Sequence, residues 1–220
     1  MNIVLVAATG RAGRTILEEL IRRGHTVTAV ARNPGKLPEN LPDTVKPACV
    51  DLHDTDRLAE LMKGADAVVS AFGPSSTDPR YISDENYTDQ LVNVTRRLID
   101  AVRISGVPRL IVAGGAGSLQ YAPGMTVLES GYWPEKFVPI ARSHFKAFAA
   151  LKKSGIDWTY FSPPMLIEPG ERTGKFRLGN DDLIRDAEGR SRVSFEDYAV
   201  ALVDELEKPA HRRARFTIGY

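Results

Sequence analysis

Residues 1–20 read MNIVLVAATGRAGRTILEEL, and this stretch decides the fold. Ile3-Val4-Leu5-Val6-Ala7 is a short apolar run, and Ala8 to Arg14 is a tight turn of small residues carrying Gly10 and Gly13. From Thr15 to Arg23 the pattern becomes helical. Ile16, Leu17, Leu20 and Ile21 share one face, while Arg14, Glu18, Glu19, Arg22 and Arg23 fall largely off it. Strand, glycine-rich turn and helix, in that order, predict the phosphate-gripping start of a dinucleotide fold. The glycines let backbone approach a pyrophosphate, and the helix start offers free N–H groups and a positive dipole end. The first glycine of the usual G-x-x-G-x-x-G spacing is replaced by Ala7. That residue fits if its φ stays negative. The bland alternative is a structural turn without a ligand.

Bulk properties narrow the field. The chain has 220 residues, enough for one α/β domain over 1–220 with a substantial core. Hydrophobic content of 43% and charged content of 26% are ordinary for a globular protein. A net charge of +1 gives no electrostatic case for nucleic acid or a membrane surface as partner. The single Cys49 excludes an intramolecular disulfide framework and fits a reducing compartment. No basic n-region and long apolar h-region open the chain, and no apolar run would span a bilayer. A cytoplasmic location is expected, and no metal ligands are.

Outward from the first helix, strands and helices alternate. Gly24 signals a helix end, His25 to Ala31 a second strand, and Arg32-Asn33-Pro34 its exit. An acidic residue here would hold the ribose 2′-OH of NAD. An Arg suits a 2′-phosphate instead, so NADP is preferred over NAD, unless Arg32 is merely solvated. Pro47 to Val50 reads as a third strand, followed by Asp51 and Leu52, with Asp54 or Thr55 capping a helix over 56–62. Asp66 to Gly73 is a fourth strand and its exit, where Ala71 and Gly73 are small and Phe72 is either a cofactor wall or core. A long helix is expected over 84–105, a fifth strand over 108–113, a helix over 135–154 with Pro134 in its first turn, and a sixth strand over 156–162. Between them, 119–133 reads as a loop over the ligand edge, with Tyr121, Tyr132 and Trp133 as stackers or packing. Lys175 to Val193 reads as a hairpin turning near Asp186 to Gly189. Ser194 with Asp197 reads as a capping box for a helix over 195–207, and 215–220 as a terminal strand. The whole is an α/β, Rossmann-like, doubly wound parallel sheet with a small C-terminal substrate region; its substrate-side elements are about 114–134 and 164–193. Gly10, Arg32, Asp51, Gly73 and Ser118 all follow strands, where such sheets bind ligands.

The motifs Ala7-Ala8-Thr9-Gly10-Arg11-Ala12-Gly13, Ala31-Arg32-Asn33-Pro34, Val50-Asp51-Leu52 and Asp66-Ala67-Val68-Val69 carry a resemblance that spans nearly the whole chain. It continues through Ser154-Gly155-Ile156-Asp157-Trp158-Thr159, Ser162-Pro163-Pro164 and Ser194-Phe195-Glu196-Asp197-Tyr198-Ala199. On these residues the chain resembles the atypical short-chain dehydrogenase/reductase superfamily. Its NADH-flavin reductase group, similar to biliverdin-IXβ/flavin reductase and more distantly to NmrA-like proteins, is the nearest. The resemblance implies that Thr9, Gly10, Arg11, Ala12, Gly13 and Arg14 cradle a pyrophosphate and that Arg32 meets the 2′-phosphate. It further implies that Asp51 and Leu52 hold adenine, that Ala71, Phe72 and Gly73 line the ribose, and that Pro163 and Pro164 contact the nicotinamide side.

Standard members carry a Tyr and, four residues on, a Lys in the helix after the fifth strand. Counting back from Ser154-Gly155 puts Ile140 and His144 there, while Ser118 matches the family's serine. Without the Tyr acid, dehydrogenation of simple alcohols is put in doubt. Reduction of a flavin-like or quinone-like ring asks less of the protein, because the anion formed is delocalised and proximity and stacking carry most of the rate. Ser118 would then donate a hydrogen bond, and His144 would orient substrate, supply a proton, or be structural. The competing class is a non-catalytic NADP-binding sensor of the NmrA-like kind. A sugar-nucleotide epimerase or dehydratase is disfavoured by the short C-terminal region and the absent Tyr.

Overall fold

Strand β1 (Asn2–Val6) sends Ile3 and Leu5 to one side and Val4 and Val6 to the other, and all four are buried. A strand apolar on both faces belongs in a parallel sheet covered on both sides. The structure, a computed structural model, describes Met1 to Tyr220 throughout. After β1 come α1 (Arg11–Arg22), β2 (Thr26–Val30), β3 (Val45–Ala48), α2 (Thr55–Met62), β4 (Ala67–Ser70), α3 (Glu85–Thr88) and α4 (Gln90–Ser105). The chain continues through β5 (Leu110–Ala113), β6 (Gln120–Ala122), β7 (Met125–Thr126), α5 (Val138–Lys152), β8 (Trp158–Ser162) and β9 (Leu166–Glu168). It ends with β10 (Arg177–Gly179), β11 (Arg192–Ser194), α6 (Phe195–Glu207) and β12 (Ala214–Gly219).

Eight strands form one sheet in the order β10-β12-β8-β5-β4-β1-β2-β3. All neighbours are parallel except the edge pair β10–β12. Chain order reverses at β1, which has β2 on one side and β4 on the other. That reversal opens a crevice at the carboxyl ends of β1 and β4, the binding position of such sheets. Helices α1 and α6 cover one face, where Ile16, Leu17, Leu20 and Leu202 pack against Ile3 and Leu5. Helices α2, α4 and α5 cover the other, where Leu58, Met62 and Leu98 pack against Val4 and Val6. Burying each such side chain stabilises the fold by about 1.5–3 kcal/mol. No helix is long and apolar enough to cross a membrane.

Several expectations need correction. Ala7 adopts φ +62°, not the negative φ expected. The turn is that tight because Ala8 N–H is taken by the Val30 carbonyl at 3.1 Å and Gly10 N–H by the Ala7 carbonyl at 3.0 Å. Glu19, expected off the apolar face, is only 3% exposed. It is held by Arg23 at 2.7 Å and by both ends of the Arg172 guanidinium at 2.8 Å, so charge pairing replaces apolar packing there. Arg23 also reaches Asp204 and Glu207, tying α1 to α6. The third strand begins two residues early, at Val45, and the helix expected over 84–105 is interrupted at Asp89.

Pro134 does not open α5. A 3-10 turn, Glu135–Phe137, intervenes, and Pro139 takes the first turn of the helix. The loop 119–133 contains the small hairpin β6–β7. Strands β10 and β11 do not pair with each other, so 175–193 is no hairpin. Strand β10 pairs with β12 and β11 with β9. The turn at Asp186 to Gly189 forms nonetheless, closed by Asp186 N–H to the Arg190 carbonyl at 2.8 Å. Ser194 Oγ does cap α6 by accepting from Asp197 N–H at 3.0 Å. The fully buried Asp197 carboxylate does not reach back, and accepts instead from the N–H groups of Thr173 and Gly174, each at 2.8 Å.

Two outcomes are expected. Ala7→Gly removes a left-handed alanine worth about 1–2 kcal/mol of strain but loosens the unfolded chain by about 0.5–1 kcal/mol. A net gain of about 0.5 kcal/mol should appear as a small rise in Tm; a fall would mean that the methyl group packs better than it strains. Burial alone would raise the Glu19 carboxyl, but Arg172 and Arg23 outweigh it and hold it below the usual carboxylate value. Its stabilisation is therefore full above the unfolded value of about 4.3 and fades as pH falls through the lower folded value. Glu19→Gln should lose about 2 kcal/mol at neutral pH in urea unfolding, and less of it at acid pH; an equal loss at both would contradict the pairing.

Candidate cofactor and active site

The carboxyl ends of β1, β2, β3 and β4 gather most of the residues read from the sequence. Gly10 is extended at φ −71° and ψ 167°, and α1 starts at Arg11 without a side-chain cap. The N–H groups of Arg11, Ala12 and Gly13 therefore lack intrahelical partners at the crevice mouth, and Thr9 precedes them in the turn. Gly13 is obligatory for this packing, because a Cβ there would overlap the Ala7 carbonyl oxygen. Arg11 spans to the loop after β4, its Nη2 lying 3.4 Å from Ser76 Oγ. Arg14 spans to the segment after β2, donating to the Lys36 carbonyl at 3.0 Å. Arg14, Arg32 and Lys36 are all exposed around the end of β2. This is a positive rim beside a helix start with unpartnered N–H groups, and the residues present fit a dinucleotide.

The remaining cofactor-side residues differ in exposure. Asp51 is exposed after β3, and one carboxylate oxygen accepts from His53 N–H at 2.9 Å. Leu52 is buried in the core, and the capping of α2 falls to Asp54, which accepts from Arg57 N–H at 2.9 Å. After β4, Ala71 and Phe72 are half-buried, and Phe72 packs between two apolar clusters, so it is core as well as edge. Gly73 is exposed with open space where a Cβ would point. Pro163, half-buried, leaves the carboxyl end of β8.

The two candidate catalytic residues are held apart by different partners. Ser118 is 9% exposed. Its Oγ and carbonyl accept from Arg215 Nη1 at 2.8 and 3.0 Å. Arg215, on β12, is itself paired to Asp181 and lies over the Phe148 ring. His144, half-buried on α5, meets Tyr160 instead, with 3.1 Å between Nδ1 and the phenol oxygen. Burial lowers the His144 imidazole to about 4, so it is neutral near pH 7. An imidazolium proton donor, one role expected of it, is thus not on offer. Ile140, one turn earlier on α5, is buried against Leu91 and Ala147.

Tyr160 escaped the sequence reading because an aromatic residue inside an apolar strand looks like core. Gly114-Gly115 was the available signal: adjacent glycines mark a close approach, though not of what. In the loop after β5, Tyr121 and Tyr132 stack at 5.1 Å with Arg185 over the Tyr121 ring, and Tyr132 is 67% exposed. Trp133 packs into the small cluster around Leu119. A groove of about 860 Å3 lies elsewhere, at the amino ends of β8 and β12 between Lys152, Trp158 and Arg213. It holds none of the candidate catalytic or cofactor-binding residues.

Comparison with known proteins agrees with this layout. An uncharacterized Bacillus subtilis protein, YwnB, is 35% identical over 222 residues, covering 99% of this chain and 98% of the relative. A Bacteroides thetaiotaomicron structure, provisionally assigned as an epimerase, is 42% identical with a TM-score of 0.89 and covers 100% of this chain and 96% of its own. A Streptococcus pneumoniae structure, provisionally assigned as an NADH-flavin reductase, is 30% identical with a TM-score of 0.84, covering 100% and 99%. Residues 7–209 match the NAD(P)H-binding family. The chain belongs to that NAD(P)H-binding family.

Proposed function

We propose that the chain is an NADPH-preferring reductase that passes hydride to a flat, electron-poor ring of the flavin or quinone type. The observation that carries the reading is a nucleotide cradle beside a wall with no ready acid. Ile140 is buried where a phenol would serve alcohol chemistry, and the nearest titratable group, His144, is neutral. When bound, the reduced nicotinamide supplies the hydride; acceptor, NADPH and one proton give reduced acceptor and NADP. The N–H groups at the start of α1 would hold the pyrophosphate, with Arg11 and Arg14 adding positive charge beside it. Arg32 and Lys36 hold the 2′-phosphate, and NAD is taken more weakly for want of it. Asp51 accepts from the adenine amino group, Gly73 leaves room for the ribose, and Pro163 packs on the nicotinamide side. Ser118, whose oxygen already accepts from Arg215, has its O–H free to donate to the acceptor. The proton comes from water, since the reduced ring's charge is delocalised.

The provisional epimerase assignment of the Bacteroides protein favours a second reading. An epimerase of this fold must oxidise an alcohol and so needs a base at the Tyr position. Ile140 cannot serve, and Tyr160 keeps its proton because burial raises it.

The test is NADPH consumption by purified protein, followed at the reduced-nicotinamide absorbance band. Riboflavin or FMN, a quinone and an acceptor-free control are run in parallel, with Ser118→Ala and His144→Ala beside the wild type. Acceptor-dependent oxidation, falling roughly tenfold or more in His144→Ala, is expected. Intact NADPH binding with no oxidation of any acceptor would overturn the reductase and favour the non-catalytic sensor.

A further inference from the structure

The phenol of Tyr160 has surroundings that leave it one task. Its side chain leaves β8 on the α5 side of the sheet and is fully buried, with Phe148 stacked on its ring at 4.5 Å. The glycines after β5 make the room. A Cβ on Gly114 would overlap the Tyr160 ring, and one on Gly115 would fall 2.7 Å from His144 Cγ. Larger residues at either position would separate the two rings.

Three groups surround the phenol oxygen. Gly115 N–H donates to it at 3.0 Å, His144 Nδ1 lies 3.1 Å away, and the His144 carbonyl oxygen lies at 3.4 Å. Two proton arrangements satisfy this set. In the first, the phenol donates to a bare Nδ1, and Nε2 carries the ring hydrogen. In the second, Nδ1–H donates to an oxygen that already accepts from Gly115, and the phenol proton is left with the 3.4 Å carbonyl. The first places every donor in a bond of ordinary length; the second spends the phenol proton on the poorest of the three contacts. The charges agree with the first arrangement. Burial keeps the phenol protonated and the imidazole neutral. Arg215, opposite Tyr160 in register and paired to Asp181, pulls the phenol down, but burial outweighs it.

Nε2 has no protein partner. His144 is only partly buried, and this nitrogen keeps a share of exposure to solvent. We infer that Tyr160 is a positioning residue that fixes His144 as the neutral Nε2–H tautomer, giving the site an outward hydrogen-bond donor for a ring carbonyl of the acceptor. The acceptor's place in this statement rests on the reductase reading; the tautomer lock does not. A donor of this kind steadies negative charge arriving on a carbonyl oxygen without being consumed as an acid. It is also constant across physiological pH, unlike an ordinary histidine.

The lock is read directly from ring-nitrogen NMR of the protein labelled at histidine, without cofactor. There are four histidines, and loss of one set of signals in His144→Gln identifies those of His144. The expected wild-type spectrum has an unprotonated Nδ1 and a protonated Nε2, unchanged between about pH 5 and pH 8. In Tyr160→Phe the two tautomers should mix, and acceptor reduction should fall roughly tenfold with NADPH affinity unchanged. His144→Gln, which keeps a neutral donor, should retain more turnover than His144→Ala. An Nδ1–H tautomer or an imidazolium in the wild-type spectrum overturns the lock, as does an unchanged tautomer in Tyr160→Phe. Should that variant fail to fold, the wild-type spectrum decides alone. The expected spectrum in a protein that reduces no acceptor would support the lock and sink the reductase reading.

Discussion

Helix α1 approaches the end of β1 so closely that only a glycine fits at the contact, and the rest of the site depends on it. Gly13 lies so near the Ala7 carbonyl that no Cβ fits between them. To reach that position the chain turns through a left-handed alanine, at a local cost of about 1–2 kcal/mol. The return is geometric. The helix start is brought to the crevice where the sheet's strand order reverses, with three unpartnered N–H groups and a dipole end. Parallel pairing then fixes the exits of β2, β3 and β4 around the same crevice, and with them Arg32, Asp51 and Gly73.

A second pair of glycines does the equivalent work on the other side of the sheet. Gly114 and Gly115 let Tyr160 and His144 meet beneath the exit of β5. Beside them, Arg215 holds Ser118 and is held by Asp181. The cofactor side is thus exposed, basic and built from backbone N–H groups. The side around Ser118 and His144 is partly buried and built from side chains locked by one another. Positive charge around the helix start suits a phosphate-bearing ligand.

What was legible in the sequence was local. The β1–turn–α1 unit, the alternation of strands and helices, and the helix end at Gly106 follow from short-range periodicity and cap chemistry. What was illegible needs partners far along the chain. Glu19 is buried only because Arg172 arrives from 153 residues away. Strand β10 chooses β12 over β11 because the sheet edge is open there, which no turn signal reports. Asp197 looked like half of a capping box, yet its carboxylate serves the Thr173–Gly174 loop. Arg32 was read from its position after β2, and Arg14 as added charge near it; the company of Lys36 came only with the fold.

The central claim is that the crevice at Gly10 to Arg14 takes a dinucleotide whose 2′-phosphate is met by Arg32. The most direct measurement is equilibrium titration of NADPH and NADH into the wild type and into Arg32→Asp. The account predicts one saturable site per chain, NADPH bound more tightly than NADH, and a preference reduced by about tenfold or more in the variant. Absence of saturable binding of either cofactor, or an unchanged NADPH to NADH ratio in Arg32→Asp, would contradict it.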